Sequence, residues 1–499
     1  MARDPQVALM ALNRFGFGAR GGAAGDLVAA RSDPRGFVKA ELRRPGGVRL
    51  EVPGLQPTPD LADAAFAYQA EVKAARDAAK ANPADAMAAA EKPAAMDAPD
   101  KPPENNPAEK MTPNPPAQAS EAGAPAKPLN VIQKTFRAEA LARLQRAVQT
   151  DCGFGERLVT FWSNHFCISA AKGPLGRMWA GAFEREAIRP HVFGHFSEML
   201  MAVEQHPAML FFLDNQQSLG PDSQAGQNRK RGLNENLARE IMELHTLGVG
   251  GGYTQDDVTS LARIITGWTF AGRRGQLGKP GTFVFNANAH QPGPQTLLGK
   301  TYADTGLAQG EAALSDIARH PSTAKFIATK FARHFVADDP PPALVAQLQY
   351  VFRKTDGDLL ALATTLVDSD EAWQAPLTKM RSPYEYLIAM GRLLDRIPEE
   401  PMRYLGGLAM LGQPLWAPSG PNGFPDSNAA WAAPEGMKLR LDVAAEVSSR
   451  VGDTVDPRDL LELAAADASS QETRRTIERA ESRQQALALL LMSPEFQRR

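Results

Sequence analysis

The stretch from Asn234 to Gly248, NENLAREIMELHTLG, limits the fold more than any other part of this chain. It sets asparagines, glutamates, Arg239 and His245 among Leu237, Ile241, Met242, Leu244 and Leu247 at a helical period. Asn234 or Asn236 suits the start of that helix, and Gly248 suits a left-handed position just past its end. Wound at about 100° per residue, Leu237, Ile241 and Leu244 share an apolar arc with His245 on its edge. Glu235, Asn236, Arg239 and Glu243 fall on the opposite arc, with Glu240 at the boundary beside Leu244. Two readings follow. Either the arc is a salt-bridged outer face with one histidine tucked into the core, or this is a central helix whose polar arc lines a site. No two histidines stand four apart here, which excludes a zinc-protease helix.

Other segments repeat the helical period, among them VIQKTFRAEALARLQRAVQ, GFGERLVTFWSNHFCIS and HPSTAKFIATKFARHFV. Strand character is confined to Trp268–Thr301, where Phe283 and Phe285 alternate. The expected fold is therefore mainly α, a large multi-helix domain with one small β-like or irregular segment near 268–301. Residues 1–60 read as N-terminal helices of the main domain, starting with Asp4 as cap and Pro5 in the first turn. Residues 61–82 read as an alanine-rich helix. From 83 to 128 the chain is Ala, Pro, Lys, Glu and Asn with almost no large apolar side chains, so a disordered insertion is expected. The main helical domain then runs over 129–499, in one lobe or two.

The 55 lysines and arginines nearly balance the 57 aspartates and glutamates, so no overall field recruits nucleic acid. No apolar run is long enough for a transmembrane segment. The opening residues lack the pattern of a secretory signal, and the expected location is cytoplasmic. The two cysteines, Cys152 and Cys167, would lie about 22 Å apart along a helix, out of bonding range.

In GFGERLVTFWSNHFCIS, Leu158, Phe161, Trp162, His165 and Phe166 share one helical face. A histidine there is ordinarily a hydrogen-bonded core residue, but His245 supplies a second one directed at the core. The loop from Gln216 to Gly232 ends in Arg229-Lys230-Arg231 and reads as a lid for an anionic substrate or as a plain surface loop. Thr254 to Asp257 forms a capping box. His290 lies in a Pro/Gly loop, and His334 sits among Phe331 and Phe335 as a packing residue. The Pro-rich loop from Gly412 to Trp431 walls a pocket or wedges helices together, and the wedge is favoured.

The motifs LNRFGFGAR, FWSNHF, REAIRPHVFGHF, HPAMLFFLDN, LNENLAREIMELHTLGVGGGYTQDDV, LARIITGW, LLGKTY and GQPLWAPSGPNGFPD occur in that order. Together they resemble the bacterial family known as domain of unknown function 1800, nearly end to end outside the Ala/Pro insertion. The resemblance implies a predominantly helical protein, often beside a companion that resembles phosphatases and sulfatases, and often exported. It does not imply an activity. Relatives commonly carry His-Asp before LGK, where this chain has His290-Gln291.

Two classes of function remain. The first is an enzyme with a buried His/Glu/Asn centre. His165, His245 and His290 are its candidate metal ligands, by type suited to zinc, iron or manganese. Glu240, Glu243, Arg239 and Asn236 are candidate catalytic groups, and Asn164, Asn234, Trp268 and Trp416 candidate substrate contacts. His165 pairs more credibly with His245 than Glu240 does, since Glu240 and His245 point apart on an ideal helix. Haem suits the apolar surroundings, but nothing marks a haem pocket. The second class is a helical binding, assembly or accessory protein whose polar helix organises its packing.

Overall fold

The computed structural model describes residues 5–21, 26–44, 46–81, 128–228, 232–465 and 469–499. The Asp4 cap, the Arg229-Lys230-Arg231 segment and the expected insertion up to residue 127 lie outside them. The architecture is mainly α with two small antiparallel hairpins. Trp268–Phe270 pairs with Phe283–Phe285, and Gln295–Leu297 pairs with Lys300–Tyr302, inside the segment where strand character was expected. Among the described residues, no helix is long and apolar enough to cross a membrane.

Among the described residues two large apolar cores, and a small third one around Leu9, Leu12 and Leu27, organise the helices, and Val131–Gln149 belongs to both large ones. It starts at a capping box in which Asn130 and Gln133 exchange backbone amide bonds. Its Ile132 and Phe136 pack into the larger core, and Ala140, Leu144, Ala147 and Val148 into the second. The second core is otherwise built by C-terminal helices, chiefly Pro383–Leu393, Pro434–Val451 and Arg483–Met492.

Phe154–His165 runs through the larger core and ends on the candidate histidine. Gly153 precedes it at φ +93° and has no side chain to cap the free amides. Glu41, from the helix Pro34–Leu42, serves instead. Its buried carboxylate accepts from the amides of Cys152, Gly153 and Gly155 and from the Thr150 hydroxyl. A negative charge at the positive end of the helix dipole adds to those bonds. Cys152 and Cys167 are both free and buried.

The segment from Asn234 departs from a regular helix. Asn236–Glu240 is α-helical, and Ile241–His245 is a π-helical turn. Wider turns of this kind are rare and cluster where a side chain must be re-aimed. The expected cap is present in altered form: Asn234 Oδ1 accepts from the Asn236 amide at 3.0 Å. Gly248 sits at φ +81°, as the sequence predicts.

Arginines are buried on a scale that composition did not suggest. Arg14, Arg157, Arg189, Arg392, Arg440 and Arg499 are all fully buried. Arg392 donates to the carbonyls of Gly18, Val148, Thr150 and Asp151, tacking the N-terminal glycine loop to the end of Val131–Gln149.

Candidate functional site

His165 has its Nε2 3.0 Å from the His245 carbonyl and its Nδ1 3.0 Å from the Lys330 ammonium nitrogen. A carbonyl only accepts, so Nε2 carries the proton and Nδ1 accepts from Lys330. Burial, and then the Lys330 charge, push the His165 pKa well below its ordinary value. The ring is a neutral acceptor that orients an amine.

Lys330 belongs to Pro321–Phe335, a helix capped by the His320 ring and started by proline. Burial lowers its pKa to about 8. Its ammonium nitrogen also lies 5.3 Å from the centre of the Phe326 ring. One turn on, His334 donates Nδ1–H to Asp426 at 3.0 Å and accepts at Nε2 from Arg157 at 3.3 Å. Burial lowers the His334 pKa to about 4, so this ring too is neutral. Burial raises the Asp426 carboxyl, but His334, Lys379 and Arg499 outweigh it and hold the group well below the carboxylate range. Lys379 joins Asp426 to Asp338, with Nζ–O distances of 3.1 and 2.7 Å. Behind His334, Glu385 pairs with Arg157 at 3.2 Å and Arg499 at 2.8 Å.

These groups surround a cavity of about 430 Å³. Phe161, Asn164 and His165 form one wall, Lys330, Arg333 and His334 the second, and Asn422 with Phe424 to Ser427 the third. The mouth passes the exposed Arg333, Asn422 and Pro425. The third wall is the Pro-rich loop. Asn164 holds it in place, donating to the Phe424 carbonyl at 2.9 Å and accepting from the Phe424 amide at 2.8 Å. The loop therefore walls a pocket, which was the less favoured of its two expected roles. Its Trp416 also packs against both large cores, so the wedge is present as well.

Several expected placements change. His245 Nδ1 meets Glu204 at 2.8 Å, and its ring centre is 6.3 Å from that of His165. The two histidines meet through a backbone carbonyl and not as paired ligands. His290 stands elsewhere, donating Nδ1–H to the Thr266 carbonyl at 2.9 Å. Both ring nitrogens of His165 are engaged, and among the described residues no group of three His, Cys, Asp or Glu is placed to hold an ion. The donor set of His165, His245 and His290 does not fit a metal.

The polar arc of the Asn234 segment does not line the cavity either. Arg239 is 37% exposed and pairs with Glu235 at 3.1 Å and Glu243 at 3.7 Å, while Gln255 and Thr259 complete the lattice around Glu235. Leu237, Ala238, Ile241 and Met242 are fully buried, which turns the opposite face toward water. Glu240 is half-buried; burial raises its pKa, His245 and Arg239 pull it down, and Glu243 pushes it up. Asn236 is exposed, and Asn234 is spent on the helix start and the Asp214 carbonyl. Trp268 is a fully buried core residue. Trp416 donates to Glu184 at 3.0 Å, beside a separate small cavity of about 50 Å³. Gln291 holds Asp222 through both ends of its amide; a carboxylate at 291 could still accept from the Asp222 amide but would repel the Asp222 carboxylate that Gln291 Nε2 now donates to.

Lys330, Arg333 and Asp426 were not singled out from the sequence, and His334 was assigned to packing. One signal was available. Lys330 and His334 are four apart on a helix whose neighbouring positions, Ile327, Phe331 and Phe335, are core residues. A lysine at such an edge has its amine drawn out of water.

The fold and cavity define a mainly helical protein with a lysine–histidine pair facing a solvent-connected pocket. The chain belongs to the family described as Protein of unknown function (DUF1800), whose model matches residues 10–498. No curated protein and no solved structure matches it.

Proposed function

We propose that the protein is an enzyme whose reactive group is the Lys330 amine, acting on a small carbonyl compound in this cavity. The observation that carries the reading is the 3.0 Å contact between Lys330 Nζ and His165 Nδ1 at the cavity wall. Spending one N–H on His165 turns the lone pair of the neutral amine toward the pocket. Nζ then attacks the carbonyl carbon to form a C–N bond, and the resulting carbinolamine loses water to give an imine. With a pKa of about 8, about a tenth of Lys330 is already neutral at pH 7, where an ordinary lysine is almost wholly protonated.

Glycolaldehyde with cyanoborohydride, followed by peptide mass spectrometry, tests the reading. Lys330 should be alkylated faster than the exposed Lys325 of the same helix. At pH 8 its free-amine fraction exceeds that of an ordinary lysine by about a hundredfold. The labelling rate should climb through pH 8 and level off above it. Equal labelling of the two lysines would remove the enzyme reading and leave the helical binding or assembly role. We also propose a phosphatase- or sulfatase-like companion, an expectation carried by the family resemblance alone. Co-purification under gentle extraction tests that association, and its absence counts against it.

A further inference from the structure

Two cations face this cavity without a carboxylate partner. Lys330 donates to His165, and Arg333 donates its Nε–H to the Asp338 carbonyl at 3.0 Å. Among the described residues neither forms an ion pair. The cavity's carboxylates are already engaged: Asp426 by His334 and Lys379, and Asp338 by Lys379 and the Asn428 amide. Behind the wall, Glu385 faces both Arg157 and Arg499. The acids are neutralised from within, and the two cations on the solvent side are left for a ligand. A pocket so arranged favours an anion.

The geometry also selects the kind of anion. Lys330 and Arg333 are three apart on one helix, so their side chains leave neighbouring positions about 5–6 Å apart. With Nε held by the Asp338 carbonyl, the terminal nitrogens of Arg333 remain as paired donors, a match for a planar carboxylate. At about 430 Å³ the cavity takes only a small molecule.

We infer that the substrate is a small oxo acid, its carboxylate held by Arg333 and its carbonyl carbon presented to Lys330. The inference rests on Lys330 being the reactive amine. In the reaction the carboxylate is unchanged; the carbonyl oxygen leaves as water, taking two hydrogens from the amine nitrogen.

Labelling with three aldehydes in the presence of cyanoborohydride separates this inference from the reading beneath it. The readout is the ratio of Lys330 to Lys325 modification, which cancels the intrinsic reactivity of each aldehyde. Glyoxylate should give a ratio above that of glycolaldehyde by about tenfold to a hundredfold, the range of a charge-assisted hydrogen bond. In Arg333→Gln the glyoxylate ratio should fall to the glycolaldehyde ratio of the same variant, which itself drops because the Arg333 charge helps to lower the Lys330 pKa. Arg333→Lys should keep part of the preference. Equal ratios for glyoxylate and glycolaldehyde in the native protein would overturn the oxo-acid assignment and leave the reactive amine standing. So would a preference that survives in Arg333→Gln. A still higher ratio with glycolaldehyde phosphate would replace the carboxylate with a phosphate. If glycolaldehyde itself does not favour Lys330, the reactive amine fails and the inference with it.

Discussion

Replacing Arg189 with methionine tests how the buried charges are held. Its guanidinium gives two bonds to Glu156 at 2.8 and 2.9 Å, one to Glu184 at 3.0 Å and one to the Val48 carbonyl at 2.7 Å. The arginine and both glutamates are at most 4% exposed. Methionine keeps most of the volume, so the loss is electrostatic. Glu184 retains Arg143 at 3.2 Å and Trp416, whereas Glu156 is left with Arg146 at 3.6 Å. Removing one partner from a buried ion pair costs about 3–5 kcal/mol, a large part of a typical folding free energy of about 5–15 kcal/mol. The stranded Glu156 would have a folded pKa above its unfolded value of about 4.3. Its penalty is then fully present above the folded pKa and is relieved as pH falls toward the unfolded one. Urea unfolding of wild type and Arg189→Met at pH 7.5 and 5.5 measures both effects. The gap should be several kcal/mol at the higher pH and smaller at the lower. A gap below about 1 kcal/mol, the scale of an exposed pair, would refute the reasoning, as would a gap independent of pH.

Arg239→Ala should cost less than about 1 kcal/mol by the same assay, because its pairs are solvated; a larger loss would place that arc in the interior. Gly248→Ala should destabilise by at least about 1–2 kcal/mol, the left-handed penalty at φ +81°, since a Cβ there also meets the Phe326 ring at 2.7 Å. A neutral outcome in thermal unfolding would show that the turn relaxes freely. For Glu385, burial raises the pKa but Arg157 and Arg499 outweigh it and lower it to about 2. The stabilisation, about 3 kcal/mol, is complete above the unfolded pKa and lost as pH falls from about 4.3 to 2. Circular dichroism during acid titration should show Glu385→Gln lacking that part of the acid dependence, and identical profiles would contradict the pairing.

Local signals in the chain proved dependable. The capping box of Thr254 and Asp257 forms as read, with Thr254 Oγ1 accepting from the Asp257 amide and Asp257 accepting from the Thr254 amide. His165 does end a helix buried among Phe161, Trp162 and Phe166. The Asn234 segment misled in one respect. Its density of polar side chains suggested a lined interior, yet ion pairs at helical spacing form equally well in water, and the π-helical turn has no mark in the periodicity.

By itself the sequence determined where helices begin and end, which faces are apolar, and which family the chain joins, since each depends on neighbours a few residues apart. Only the tertiary structure decided that His165, Lys330 and Asp426 share a pocket. Their meeting depends on how separate helices and a loop pack. The chemistry of each group follows from the water and charges that packing removes or supplies, so the Lys330 pKa falls to about 8 only once the wall around it has closed.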